Sequence, residues 1–177
     1  TRVIVERIAH LFEHHDAKPT EILALTFSRS AATEMMHRVA RRLGEGAGAI
    51  TFSTFHSFSL GLIHQHHSAF GYPTPPRVIT ISEQVELIRR ILATTRGPTL
   101  HPITLLSKRS FGARIIAEAL VHVHERSNHI TDSDLHAALE SIASAYQNLR
   151  RTASLVDHPA MVPEAVELLE NDSGLAR

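Results

Sequence analysis

The chain is 177 residues long, 43% hydrophobic and 20% charged, with 18 basic and 18 acidic residues and no cysteine. This composition supports a packed core and excludes disulfides, thiolate metal sites and a cysteine nucleophile. It carries no global basic signature for nucleic acid, so any such site must be local. No apolar run approaches the roughly 18 residues of a membrane span, and no signal peptide is recognisable.

The chain starts at Thr1 without a methionine, enters helical periodicity at once, and stops at Arg177 soon after another helical pattern, so both ends read as cut from something longer. Ile4, Ile8, Leu11 and Phe12 recur at helical spacing over residues 3–14. Lys18-Pro19-Thr20 interrupts them, and Ile22 to Phe27 reads as a short buried strand. Ala32, Met35, Met36, Val39 and Leu43 mark one face of a second helix. Arg38, Arg41 and Arg42 sit in its last turns, as solvated cations suited to the dipole, and Gly44 ends it. A loop over 45–48 leads to a second strand, 49–53, and a helix over 55–67.

At "GYPTPPRV", residues 71–78, three prolines forbid regular structure and mark a boundary. Only helices are expected beyond it. Thr80 and Glu83 form a capping box before Val85, Leu87, Ile88, Ile91 and Leu92. Further helices are expected over 110–125 and from a cap at Thr131–Asp134. The latter carries Leu135, Leu139, Ile142, Tyr146 and Leu149 on one face. Pro159 and Pro163 delimit a last short helix with Val166, Leu168 and Leu169. Arg89 with Arg90, and Arg150 with Arg151, read as solvated helix surface. Two strands joined by a crossover helix form a parallel, right-handed βαβ unit. A parallel sheet of two strands is too narrow to stand alone, so further strands are expected outside this chain.

Two segments carry chemistry. "LALTFSRSAATEM" (Leu23 to Met35) resembles the motif called Ia in UvrD/Rep/PcrA-like superfamily 1A DNA helicases, and "ITFSTFHSF" (Ile50 to Phe58) resembles the motif that follows it, in the right order and at a fitting distance. The resemblance implies a helix-dominated α/β fold: a truncated P-loop NTPase (RecA-like) parallel sheet with an all-helical insertion. Residues 1–70 would belong to RecA-like domain 1A, 71–154 to helical subdomain 1B, and 155–177 to a segment returning toward 1A. Thr1 resembles the terminal [ST] of the P-loop, whose hydroxyl would sit on Mg²⁺ beside ATP. "LVDHPAM" resembles the segment before the Walker B strand; Asp157 matches, while His158 replaces the aromatic residue and Ala160 the second Asp.

A strand-to-helix turn at the C-terminal edge of a parallel sheet is where such folds bind ligands. By resemblance Thr26, Phe27, Ser28, Arg29 and Ser30 would track single-stranded DNA, and Thr54, Phe55, His56 and Ser57 would face the same groove. The chemistry suits this role. Short hydroxyls can cap a helix and donate to phosphate, Arg29 offers charge and a flat face, and Phe27 a stacking surface. Where the family carries Asn-Lys, this chain has Arg29-Ser30. Without the family likeness, Phe27 would read as core and the serines as plain caps. Lys108, Arg109 and Arg114 are candidates for a duplex contact of the helical subdomain. His64, His66 and His67 lie together with no carboxylate or thiolate at ligand spacing, and read as surface histidines. No Ser-His-Asp context is present, and His122 and Glu125 do not make a zinc-protease motif.

The implied function is part of an ATP-dependent DNA helicase that moves on single-stranded DNA and unwinds duplex. Its partners would be single-stranded and junction DNA and the remaining helicase domains, with no membrane, in a bacterial-type cytoplasm at the nucleoid. ATP and Mg²⁺ belong to the intact parent; none is expected on this chain alone, which carries no catalytic residue. The alternatives are a helical interaction or regulatory module with a degenerate helicase segment, and a small phosphate-binding enzyme.

Overall fold

The computed structural model describes residues 2–14, 17–94 and 133–171. In chain order these form α1 (Arg2–Glu13), β1 (Leu23–Thr26), α2 (Arg29–Leu43), β2 (Thr51–Thr54), α3 (Phe55–Gln65), β3 (Arg77–Ile79), α4 (Ile81–Thr94), α5 (Ser133–Thr152), β4 (Leu155–Asp157) and α6 (His158–Asn171). Short 3-10 turns occupy Pro19–Glu21 and Gly44–Ala49. The fold is helix-dominated with small parallel sheets. The chain divides into two compact units, Thr1–Gly61 and Leu62–Arg177, so the division falls inside α3, ahead of the proline-rich stretch. The expected helix over 110–125, Thr1, the cap at Thr131, and Lys108, Arg109 and Arg114 lie outside the described residues.

In the first unit β1 and β2 pair in parallel, with α2 as the crossover and Leu23↔Thr51 through Thr26↔Thr54 in register. The core forms where one stripe of each helix meets the sheet. Val5 and Ile8 of α1, Met35 and Val39 of α2, and Ile22, Ala24, Ala47 and Ile50 are buried together. Each large side chain of this kind contributes about 1.5–3 kcal/mol. α2 starts where the Ser28 side chain accepts from the Ala31 N–H at 3.2 Å, and stops at Gly44, whose φ of 68° only glycine adopts without strain. Arg38 pairs with Glu34, and Arg42 with Glu13 at 2.9 Å, both on the surface, where such pairs are worth at most about 1 kcal/mol.

The second unit departs from the helices-only expectation, for β3 and β4 form a second parallel pair, Arg77↔Leu155, Val78↔Val156 and Ile79↔Asp157. Three-residue strands are too short to leave a periodicity in the sequence. The prolines before β3 do not prevent pairing, because the first bond is donated by the Arg77 N–H to the Ser154 carbonyl at 2.9 Å, after Pro76 has passed. α4 packs on α5 through Ile88, Ile91, Leu92, Ala138, Leu139, Ile142 and Tyr146. Leu149 does not join them and is 37% exposed. The capping box forms as expected: the Glu83 N–H donates to Thr80 Oγ1 at 3.3 Å and the Thr80 N–H to Glu83 Oε2 at 2.8 Å. The Arg77 guanidinium, with Thr80, holds the Glu83 carboxyl at about 2.

α6 is longer than Pro159 and Pro163 suggested and runs through Pro163. Asp157 Oδ1 caps it by accepting from the Ala160 N–H at 3.0 Å. Pro159 sits in the first turn, where no N–H is needed, and Pro163 forfeits one backbone bond. Burial of Met161, Glu164 and Ala165 offsets that loss.

A buried polar cluster holds this unit together. Arg150, expected on the surface, is 2% exposed. Its Nη1 donates to Tyr72 Oη at 2.7 Å and to the Leu155 carbonyl at 3.3 Å, and its Nη2 to Glu164 Oε1. Tyr72 Oη in turn donates to Glu164 Oε2 at 2.8 Å, and Tyr146 Oη to Asp157 Oδ2 at 2.6 Å. Arg150 Nε lies 3.7 Å from that same Asp157 oxygen. Burial opposes the charge on Arg150, but Glu164 and Asp157 outweigh it and raise its pKa. Around Tyr72 the proline-rich segment is clipped on both sides. His67 Nδ1 donates to the Tyr72 carbonyl and His64 Nε2 to the Pro76 carbonyl, each at 2.9 Å. Ser154 Oγ accepts from the Thr74 N–H at 3.1 Å and from its hydroxyl at 2.9 Å. Ser154 does so at φ 50°, a left-handed conformation that costs a non-glycine residue about 1–2 kcal/mol.

Replacing Arg150 by Met would leave two carboxylates buried without their cation, and is expected to cost about 3–5 kcal/mol, read as a shift in the urea midpoint. Burial pushes both tyrosine phenols far above the ordinary 10.0, with Glu164 adding at Tyr72 and Asp157 at Tyr146. The folded state therefore keeps protons that the unfolded chain releases, and stability present below pH 10.0 is lost as pH rises beyond it. Melting temperatures between pH 8 and 11 are expected to fall steeply at the alkaline end, and less steeply for Tyr72→Phe or Tyr146→Phe, measured against each variant's own value at pH 8.

Candidate nucleic-acid interface

β1 and β2 run parallel and end on the same dipeptide, Thr26-Phe27 and Thr54-Phe55, with the two threonines paired in register. Each strand is followed almost at once by a helix, α2 or α3. Both threonines are buried, at 9% and 8% exposure, and both hydroxyls are used within the chain. Thr26 Oγ1 donates to the Ser28 carbonyl at 2.8 Å and accepts from the Ser28 N–H at 3.3 Å. Thr54 Oγ1 donates to Ser57 Oγ at 2.9 Å and accepts from the Ser57 N–H at 3.1 Å, capping α3.

Next to these clips the phenylalanines stand out. Phe27 is 90% exposed, the opposite of a core residue. Its ring lies 5.1 Å from that of Phe55 between centroids, tilted by 45°, within the range that aromatic pairs prefer. Ser28 caps α2, with Ser30 Oγ 3.1 Å from its own Oγ, so both serines serve the helix start. Arg29 is exposed at the first position of α2, and His56 and Ser57 lie in the first turn of α3, His56 half-buried and engaged with neighbouring groups.

The electrostatics of this corner are one-sided. A helix start carries a partial positive charge that acidic residues normally offset. Neither α2 nor α3 has an acidic residue in its first turn, and α2 opens on Arg29, a cation at the end of the dipole that disfavours one. Two helix starts, one arginine, the exposed Phe27 and the half-buried Phe55 thus converge at the C-terminal edge of a parallel strand pair, which brings positive helix ends suited to an anion beside an open aromatic face.

The family profile of the UvrD/REP helicase N-terminal domain matches residues 1–177. The chain belongs to this family. Over 97% of its length it is 27% identical to DNA helicase II of Escherichia coli K12 and to that of Salmonella typhimurium LT2. It is 25% identical, over 96% of its length, to ATP-dependent DNA helicase PcrA of Staphylococcus aureus. It spans 23% of the length of each of these relatives.

The sequence placed both motifs at one edge but did not reveal that their Thr-Phe dipeptides stand in register. The repeated dipeptide was the available signal. It gave no hint that the threonine hydroxyls point inward to their own turns. Among the described residues no group of three His, Asp or Glu side chains could hold a metal ion. His64 and His67 use ring nitrogens on backbone carbonyls instead. No described helix is long and apolar enough to cross a membrane.

Proposed function

We propose that this chain is the single-stranded-DNA-gripping part of a longer ATP-dependent helicase that moves on one strand and separates duplex. In this reading residues 1–70 belong to a RecA-like motor domain, 71–154 to its helical subdomain 1B, and 155–177 to the return toward the motor, within a P-loop NTPase fold. The observation that carries it is the exposed Phe27, its ring against the half-buried Phe55, between two helix starts lacking acidic residues. Bases would stack on Phe27, while Arg29, Ser57 and the helix-start N–H groups would meet phosphates. Junction DNA and the remaining helicase domains are the further partners that this reading implies, and a bacterial cytoplasm the compartment.

ATP and Mg²⁺ do not fit the residues in hand. The sequence holds no G-x-x-x-x-G-K-[ST] loop to cradle phosphate; of that motif only Thr1 has a counterpart, and Thr1 lies outside the described residues. Nucleotide chemistry is therefore assigned to the longer protein. The 177-residue chain is expected to release no phosphate from Mg-ATP above the blank, with or without oligo-dT. Measurable turnover in a phosphate-release assay would overturn that assignment.

Fluorescence anisotropy with labelled oligo-dT tests the DNA reading. Binding is expected at low salt and should weaken as salt rises. Phe27→Ala should lower affinity by about fivefold to a hundredfold, as the loss of one stacked base implies. Affinity that ignores salt and survives Phe27→Ala combined with Arg29→Ala would favour the interaction-module alternative.

A further inference from the structure

We propose that Thr26 and Thr54 are positioning residues that hold the Phe27–Phe55 shelf in place, and that neither touches DNA. The inference rests on the single-stranded-DNA reading above and changes what two residues of that site do. A phosphate oxygen only accepts hydrogen bonds, so a threonine that grips phosphate must donate its hydroxyl proton, and it has one. In Thr26 that proton is committed to the Ser28 carbonyl at 2.8 Å, and in Thr54 to Ser57 Oγ at 2.9 Å. Both side chains are also buried.

The bonds do something else. Thr26 holds the carbonyl and the N–H of Ser28, which brackets Phe27 between two fixed backbone positions. Thr54 holds the N–H and the hydroxyl of Ser57, which brackets Phe55 at the start of α3. Because the threonines are paired across the strands, the two clips set the two rings at a common level, and the rings meet at 5.1 Å. Threonine suits the task, since its β-branch restricts χ1 and holds the hydroxyl toward its own turn. An exposed phenylalanine without such a clip would rotate with its turn and offer no fixed face.

The test compares labelled oligo-dT with an oligomer of equal length carrying abasic sites, which keeps phosphates and removes bases. The wild-type chain should prefer oligo-dT by roughly tenfold, as stacking of one base provides. Thr26→Val with Thr54→Val removes both hydroxyls at nearly constant shape. It should bring the preference close to unity while leaving the salt dependence unchanged. Thr26→Ser with Thr54→Ser keeps the hydroxyls and should retain most of the preference. Circular dichroism checks that each variant is folded; if the double valine variant is not, each single one is expected to lose part of the preference. The proposal is overturned if the valine variants keep the full preference. It is also overturned if they lose salt dependence at constant preference, by about 0.7 in log–log slope for each phosphate contact removed. A wild-type chain that binds both oligomers equally would instead bring down the stacking reading itself.

Discussion

The register of one parallel strand pair determines most of what this molecule offers to a ligand. With Thr26 opposite Thr54, both strands finish at the same level. Side chains alternate between the two faces of a strand, so a slip of one residue would exchange every inward group for an outward one. The threonine clips, each local to its own strand end, would then stand at different levels, and the phenylalanines would no longer stand side by side. The register is secured from beneath by the buried set of Val39, Met35, Ile8 and Ile50, far more strongly than by the surface ion pairs of α2. A core of ordinary aliphatic contacts thereby fixes the placement of a site built from hydroxyls and rings.

What the sequence revealed and what it hid follow from the range of the interactions. The β1–α2–β2 order, the capping box at Thr80 and the stop at Gly44 depend on residues within a few positions of one another, and all were legible. The family likeness marked the corner around Phe27, yet by pattern alone that residue would have been placed in the core. It is 90% exposed and its ring meets Phe55, which follows the other strand, a placement no local pattern encodes. Arg150 is the clearest miss. Beside Arg151 at a helix end it looks like solvated charge, because its partners Tyr72 and Glu164 are remote in sequence. β3 and β4 were hidden for a related reason: three residues show no alternation, and each is stabilised by the other.

The second unit carries its ionic groups in an unusual place. One guanidinium and two carboxylates are buried, with two phenols donating to the carboxylates. Clusters of this kind add little net stability relative to apolar packing of the same volume. They do tolerate few alternative arrangements, since any misplaced member leaves a charge unpaired in a poorly polarisable surrounding. Here the cluster joins the turn at Tyr72, the end of α5, the strand β4 and the helix α6. The histidine clips at Tyr72 and Pro76, from His67 just past α3 and His64 within it, reinforce the same geometry.

The pairing of β3 with β4, and of Thr74 with Ser154, has a consequence in polymer terms. These contacts tie together stretches of chain separated by most of the second unit's sequence, and so close a long loop whose ends are fixed whatever lies between them. The entropy of closing such a loop grows only with the logarithm of its length, about 0.6 kcal/mol for each doubling. Once one of these contacts has formed, the others close only a few further residues, so that cost falls on them jointly. Losing the Thr74–Ser154 bonds alone therefore returns little closure entropy to the chain while β3 and β4 stay paired.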